Sequence, residues 1–130
     1  MTVKVALFLA ITILVVPIVL VITALIFSKK QPGTINNLVG YRTKRSMESQ
    51  EAWDYANRRM TTLMRTMSII MLIASAVVGT VLFVLYLQGN MTEGIYSIII
   101  TLVILLQTVC VCLTVPVIEK ELAEGKHLKG

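Results

Sequence analysis

The sequence predicts an all-α integral membrane protein, with three transmembrane helices and an amphipathic helix that leads into the second of them. The prediction rests first on three long runs without a charged residue, Val5 to Phe27, Thr66 to Thr92 and Gly94 to Ile118. An α-helix rises about 1.5 Å per residue, so roughly 20 apolar residues match the bilayer's hydrocarbon core of about 30 Å. Each run reaches that length, and we expect spans at about 5–27, 66–90 and 95–118.

Composition is the second observation. Hydrophobic residues make up 56% of the 130 residues, and the 15% that are charged lie almost entirely between the runs. A soluble domain rarely segregates its charges in this way, and a chain of this length cannot build a core that surrounds three helices apolar on all sides. Lipid must supply the surroundings. The first run is longer than a signal-peptide core and no small-residue cleavage site follows it, so we expect it to be retained.

The basic residues predict the orientation. One side of the membrane has only Lys4, whereas the loop 28–65 and the tail 119–130 carry the other eleven: Lys29, Lys30, Arg42, Lys44, Arg45, Arg58, Arg59, Arg65, Lys120, Lys126 and Lys129. Because positive charge favours the cytoplasm, we expect the N-terminus outside and the loop and C-terminus inside. This asymmetry, with attraction to anionic membrane lipid, accounts for the net charge of +5, so we expect no nucleic-acid partner.

The loop between the first two spans carries the most distinctive residues. Pro32 begins a Pro-Gly turn, and Gly40 is a candidate hinge. Ser46 is the expected N-cap of a helix that begins at about Met47 and runs toward the second span.

That helix is predicted to be amphipathic. At 100° per residue, one side collects Trp53, Ala56, Asn57, Met60, Leu63 and Met64, and the other collects Glu51, Asp54, Arg58 and Arg65. We therefore expect the helix to lie at the membrane interface. Trp53, Tyr41 and Tyr55 suit the headgroup level, where an aromatic ring is partly in lipid and its polar tip stays in water.

The segment GYRTKRSMESQEAWDYAN, residues 40–57, resembles the signature of the SdpI family of bacterial immunity proteins (SdpI/YfhL type). Pro116-Val-Ile-Glu119 resembles the Pro and Glu that close the domain in that family. The resemblance covers nearly the whole chain as one domain, residues 1–130, in a short three-span form. The chain departs from many relatives at Lys44, where they have proline.

The resemblance implies a protein of the bacterial cell membrane that protects the cell against a secreted, membrane-active peptide toxin. In the founding member it also implies a signalling role, in which a transcriptional repressor is held at the membrane. That member has a further N-terminal membrane portion, so here we expect protection more than signalling. A small transporter or a structural subunit of a membrane complex is the alternative, and a homo-oligomer is left open.

The resemblance and the residues together define a candidate functional loop, made of Gly40, Tyr41, Arg42, Thr43, Ser46, Trp53 and Asn57. We expect Gly40 to take a positive φ, and Asn57 to cap or bridge backbone groups. Tyr41 and Trp53 are expected to anchor the loop at the interface. Arg42 is expected to pair with Glu119 and so tie the loop to the end of the third span.

Within the spans, Gln107 is the polar residue whose side-chain hydrogen-bonding groups its own helix satisfies least easily. We expect it to form a hydrogen bond to a neighbouring helix. Ser75 and Gly79 place small residues on one face of the second span, which lets another backbone approach. Pro17 and Pro116 should kink or end their helices.

Catalysis is not expected. No nucleophile with its base, no carboxylate dyad and no metal-ligand set has a recognised spacing, so we expect no enzyme activity, no cofactor and no metal. Cys110 and Cys112 are read as apolar filler, and the only histidine, His127, lies in the tail.

Overall fold

The computed structural model describes residues 1–128, so the predicted tail cation Lys129 lies outside the described residues. The described residues form helices and no strand, as the sequence predicted. The helices are α1 (Val3–Thr12), α2 (Val15–Lys29), α3 (Gln50–Leu87), α4 (Glu93–Cys112) and α5 (Thr114–Ala123), followed by a 3-10 turn at Lys126–Leu128. Three helical stretches are long and apolar enough to cross a membrane: Val3–Lys29, Gln50–Leu87 and Glu93–Ala123.

The first and third spans are each interrupted three to four residues before a proline. α1 ends and α2 begins around Ile13, and α4 ends and α5 begins around Leu113. Proline has no N–H, so Pro17 cannot donate to the carbonyl of Ile13, and Pro116 cannot donate four residues back either. Both prolines therefore break the regular helix, which the sequence predicted.

The two ends of the bundle hold different segments. The N-terminal ammonium pairs with Glu93, and the Tyr86 hydroxyl donates to the carbonyl of Met1 at 3.1 Å. We call this the turn end, because it also holds the turn between α3 and α4. At the opposite end, Arg45 of the loop between α2 and α3 lies 3.5 Å from Glu119, so that loop lies beside the end of the third span; we call this the loop end. Which end faces the cytoplasm stays a prediction.

Close helix packing at the turn-end half of the bundle depends on a small residue in α3. A Cβ on Gly79 would lie 3.1 Å from Ile13 Cδ1 and 3.4 Å from the carbonyl oxygen of Ala10. The small-residue face of the second span therefore serves packing against α1 within the same chain. Nearby, the buried Tyr96 hydroxyl donates to the carbonyl oxygen of Ala6 at 2.6 Å and so joins α4 to α1.

α3 is much longer than a membrane span. Its 38 residues extend about 57 Å, against a hydrocarbon core of about 30 Å, so its first turns project beyond the loop end of the spans. The helix begins at Gln50, and the Ser49 side chain accepts the N–H of Ala52 at 3.0 Å. The prediction that Ser46 caps a helix from about Met47 was therefore wrong, because the chain uses the next serine.

Candidate functional site

Asn57 holds the loop against α3. Its Oδ1 accepts the N–H of Tyr41 at 2.7 Å, and its Nδ2 donates to the carbonyl of Trp53 at 2.9 Å. Asn57 is 5% exposed, so these bonds are shielded from water. A buried amide with both ends bonded orients the backbone it touches, as an unpaired partner would be costly. Asn57 thus bridges backbone groups, the geometry expected for it.

Gly40 passes so close to Asn57 that no side chain fits. A Cβ at this position would lie 2.6 Å from Asn57 Oδ1 and 2.9 Å from Pro32 Cγ. Gly40 also has a φ of +106°, a conformation that residues with a Cβ rarely adopt. Both observations require glycine here, and they explain why the chain can turn directly onto α3.

Trp53 is buried inside the loop end and does not sit among lipid headgroups. Its side chain is 0% exposed, and Nε1 donates to the carbonyl of Pro32 at 3.1 Å. The expectation that Trp53 anchors at the interface was therefore wrong. The indole fills the space between the Pro32 turn and α3, and a buried N–H is satisfied by protein instead of water.

Ser46 and Thr43 close a compact turn after Tyr41. The Ser46 Oγ accepts the N–H of Thr43 at 2.8 Å, and the Ser46 N–H donates to Thr43 Oγ1 at 3.2 Å. Ser46 is fully buried, with its hydroxyl 2.9 Å from the carbonyl of Thr43 and 3.2 Å from that of Tyr41. Its side chain therefore builds the turn itself, a role that side-chain to backbone bonding of serine often serves.

Tyr41 ties the loop to the third span. Its hydroxyl donates to Glu119 Oε1 at 2.8 Å, and Glu119 Oε2 lies 3.5 Å from Arg45 Nε. Burial, followed by the contact with the Glu119 carboxylate, raises the pKa of Tyr41 well above its ordinary value, because both disfavour the phenolate.

Arg42 does not pair with Glu119, and that expectation was wrong. Its guanidinium donates to the carbonyl of Asn37, within its own loop. The residue that reaches Glu119 is Arg45, three positions later. A turn separates the two arginines, so the chain direction changes between them and only the second points to the third span.

A second polar contact between α3 and the tail was not found from the sequence. The Tyr55 hydroxyl donates to Glu121 Oε2 at 2.8 Å, and Arg59 Nε lies 3.1 Å from both oxygens of the same carboxylate. Burial would raise the pKa of Glu121, but the hydrogen bonds from Tyr55 and Arg59 outweigh it and hold the pKa below its ordinary value. Sixty-two residues separate Arg59 from Glu121, and no local pattern connects them.

Gln107 joins three helical segments in the middle of the membrane. Its Nε2 donates to the carbonyl of Ile13 at 2.8 Å and to Ser75 Oγ at 2.7 Å. The Ile13 carbonyl is the one that Pro17 leaves without an intrahelical donor, so the glutamine replaces the missing N–H. The interhelical bond expected of Gln107 is present. Pro116 does not end the third span: the helix is interrupted at Leu113 and continues as α5 to Ala123.

A groove opens between α3 and α4, and we call it the lipid-facing groove. It is lined by α3 residues from Leu63 to Val78 and by α4 residues from Val103 to Cys110, and it encloses about 510 Å³. Two lining residues, Ile70 and Leu106, are 63% and 64% exposed, so the groove opens onto the outer face of the bundle, which in a spanning segment meets lipid.

Thr66, Ser75 and Gln107 are the polar residues in the lining of the lipid-facing groove, and Thr66 is exposed. Ser75 and Gln107 belong to its lining and are 4% and 5% exposed. Gln107 Oε1 is buried and accepts no hydrogen bond from residues 1–128. The groove is therefore mainly apolar, with few polar side chains in its lining.

In the part of the chain that the structure describes, no group of three or more His, Cys, Asp or Glu side chains is placed to hold a metal ion. Cys110 and Cys112 are free thiols near the loop end of the third span.

The fold and these contacts define a class: a helical membrane protein of three spans whose polar loop is folded onto the ends of its second and third spans. The model of the SdpI/YfhL protein family matches residues 34–118, which is more than half of the chain. The protein belongs to this family, as the resemblance of the loop predicted.

One curated relative supports the assignment. The chain is 34% identical over 68 residues to the uncharacterized protein YfhL of Bacillus subtilis (strain 168). The match covers 52% of this chain and 62% of YfhL, so the chain spans less than two thirds of that relative. No solved structure matches the chain.

Proposed function

We propose that this protein is a membrane immunity protein, which protects its cell by binding a secreted, membrane-active peptide within the bilayer. Membership of the SdpI/YfhL family supports an immunity-type role. The observation that carries the binding mechanism is the lipid-facing groove. Its volume of about 510 Å³ suits a row of apolar side chains from a peptide helix, since grooves that take amphipathic helices are apolar and open along one side.

The polar residues in the groove lining support a peptide over an acyl chain as the occupant. Lipid tails have no hydrogen-bonding groups, whereas a peptide carries hydroxyl or amide groups that can bond the polar side chains of the lining, Thr66, Ser75 and Gln107. Hydrogen bonds across helices in lipid contribute about 0.6 kcal/mol on average, enough to favour one register of a bound helix. The binding is non-catalytic in this proposal.

The position of the groove restricts which form of the peptide is bound. The groove begins at Leu63 and reaches Val78, so it lies in the half of the second span nearer the loop end. With the predicted orientation, that half faces the cytoplasm. Protection would then act on peptide already inserted across the membrane, and peptide lying on the outer surface would not reach the site.

A toxin challenge tests the proposal with two adjacent valines. Val78 lines the groove, whereas Val77 faces lipid elsewhere and is 59% exposed. Cells that express the chain are exposed to the peptide toxin against which the founding family member protects. We expect the parent chain and Val77→Phe to raise survival, and Val78→Phe to return it toward that of cells with an empty vector, at matched membrane levels.

Two results would contradict the proposal. Unchanged survival with the parent chain removes immunity against that peptide. Equal survival with Val78→Phe and Val77→Phe removes the groove as its site. Solute flux through liposomes that contain the purified chain, without any gain in survival, would instead favour the alternative of a small transporter.

A further inference from the structure

A second pocket lies at the loop end, beside Tyr41 and Asn57, and we call it the loop-end pocket. It encloses about 380 Å³. Its apolar floor includes Phe27, Met60, Met64 and Val115, and Arg42 lies at its rim. It is distinct from the lipid-facing groove, with which it shares no lining residue.

The loop-end pocket straddles the predicted edge of the membrane. Phe27 is the last residue of the first apolar run, and Val115 lies in the last turns of the third. Arg42, by contrast, belongs to the polar loop. An apolar floor below a cationic rim therefore lies at the depth where a phospholipid has its phosphate above its acyl chains.

Arg42 has unused capacity to bind an anion. Its guanidinium donates to the carbonyl of Asn37, and among residues 1–128 it forms no salt bridge. A guanidinium has five N–H donors in a rigid fork that fits phosphate oxygens. By contrast, Arg45 and Arg59 have carboxylate partners, Glu119 and Glu121.

We propose that the loop-end pocket binds one anionic phospholipid from the leaflet at the loop end. The Arg42 guanidinium donates to the phosphate, and one acyl chain lies along Phe27, Met60, Met64 and Val115. This role does not depend on toxin binding. It would fix the height of the loop relative to the bilayer, because the lipid joins Arg42 to the ends of the first and third spans.

Non-specific attraction between surface charge and anionic lipid is the competing explanation. One pair of variants distinguishes it from a specific site at Arg42. Lys44 carries the same charge two residues from Arg42, is exposed, and does not line the pocket. Arg42→Gln and Lys44→Gln therefore change the net charge equally. A bond from a charged donor is worth enough to change affinity about tenfold, whereas exposed charges contribute less than about threefold in salt.

A second pair of variants tests the apolar floor. Val115 lines the pocket and Val117, on the same helix, does not; they are 39% and 43% exposed. Val115→Phe fills the space meant for the acyl chain. Val117→Phe adds the same atoms outside the pocket.

The experiment is native mass spectrometry of the full chain in detergent, titrated with phosphatidylglycerol, phosphatidylcholine or glycerol phosphate. We expect one phosphatidylglycerol per chain, weaker phosphatidylcholine binding and no retained glycerol phosphate. Arg42→Gln and Val115→Phe should each lower the phosphatidylglycerol affinity about tenfold, and Lys44→Gln and Val117→Phe should leave it within about threefold. Emission of the single tryptophan, buried Trp53, reports whether each variant keeps the loop fold.

Four outcomes would overturn the proposal. Equal weakening by Arg42→Gln and Lys44→Gln leaves surface charge as the explanation. Equal affinity for phosphatidylcholine removes recognition of the anionic headgroup, and retained glycerol phosphate points to a free anion site. If Val115→Phe and Val117→Phe bind phosphatidylglycerol equally well, no acyl chain lies along the apolar floor. The valine pair tests the proposal even if altered Trp53 emission shows that Arg42→Gln disturbs the loop fold.

Discussion

The loop end and the spans of this protein are organised by opposite chemistry. At the loop end, Asn57, Trp53 and Ser46 are buried with their polar atoms bonded to specific backbone groups. In the spans, contacts are mainly apolar, and many large side chains such as Phe8 and Ile70 are more than 60% exposed toward the lipid. In the spans, lipid provides most of the apolar surroundings that a protein core would otherwise provide. At the loop end, no other group takes the place of a lost polar contact.

This difference indicates where substitutions should matter. An apolar change on a lipid-facing position exchanges one apolar neighbour for another, so it costs little. A change at the loop end leaves a buried donor or acceptor without a partner, which costs about 1 to 3 kcal/mol. Gln107 is the exception within the spans, because it behaves like a loop-end residue surrounded by lipid-facing helices.

The largest effect is expected for Gly40→Ala. The added Cβ would meet Asn57 Oδ1 at 2.6 Å, and a φ of +106° is strained for any residue with a Cβ. We expect the free energy of unfolding to fall by roughly 2 to 4 kcal/mol, and Trp53 emission to shift to the red as the loop leaves α3. Gly33→Ala is the control, since among residues 1–128 no atom beyond its chain neighbours lies within 4 Å of the added Cβ. Equal loss in both variants would contradict the close approach at Gly40.

Asn57→Ala should be the next most damaging change. It leaves the buried N–H of Tyr41 without its acceptor, so we expect a loss of about 1 to 3 kcal/mol in thermal or denaturant unfolding in detergent. The exposed Asn90, in the turn between α3 and α4, offers the control Asn90→Ala, which should stay within about 0.5 kcal/mol of the parent. If the two asparagine variants are equally stable, the loop end does not depend on its polar bonds.

Gln107→Leu tests whether a polar residue within the spans, like those at the loop end, stabilises the protein through its buried hydrogen bonds. We expect a loss of about 0.6 to 1.7 kcal/mol, because the Ile13 carbonyl loses its donor. In a Pro17→Ala background the residue at position 17 regains an N–H for that carbonyl, so the same Gln107→Leu change should cost less. The four chains form a double-mutant cycle in denaturant unfolding, and a coupling of zero would show that the glutamine does not substitute for the missing N–H.

The smallest effect concerns the tail. The pKa of Glu121 is lowered in the folded protein, so its ionised form contributes stability that is present above the ordinary glutamate pKa and is lost as pH falls through the lowered value. We expect the melting temperature to fall between about pH 5 and pH 3, by the equivalent of less than about 1 kcal/mol for this group. Glu121→Gln should flatten part of that fall. Substitution of Glu51, which forms no salt bridge with residues 1–128, by Gln should not. A profile that is unchanged by Glu121→Gln would contradict the Arg59 and Tyr55 contacts.

Local chemistry explains which details of the loop end and of the spans could be predicted. Gly40 before an aromatic residue, an amide on the apolar side of a helix, and a proline within an apolar run each limit the backbone within a few residues. Trp53 was misjudged because an amphipathic pattern does not distinguish a face toward lipid from a face toward the chain's own loop. Ser46 was misjudged because Ser46 and Ser49 are both acceptable caps, and the turn that uses Ser46 is stabilised by its contact with Tyr41.

By itself, the sequence determined the number of apolar helices long enough to span a membrane, their proline breaks and the family signature, because hydrophobic length and local backbone chemistry act over a few residues to one helix. The tertiary structure alone decided that Arg45 and not Arg42 meets Glu119, that Arg59 meets Glu121, and that Gln107 serves the carbonyl freed by Pro17. These partners lie tens of residues apart, and only the packing of the helices brings them within bonding distance.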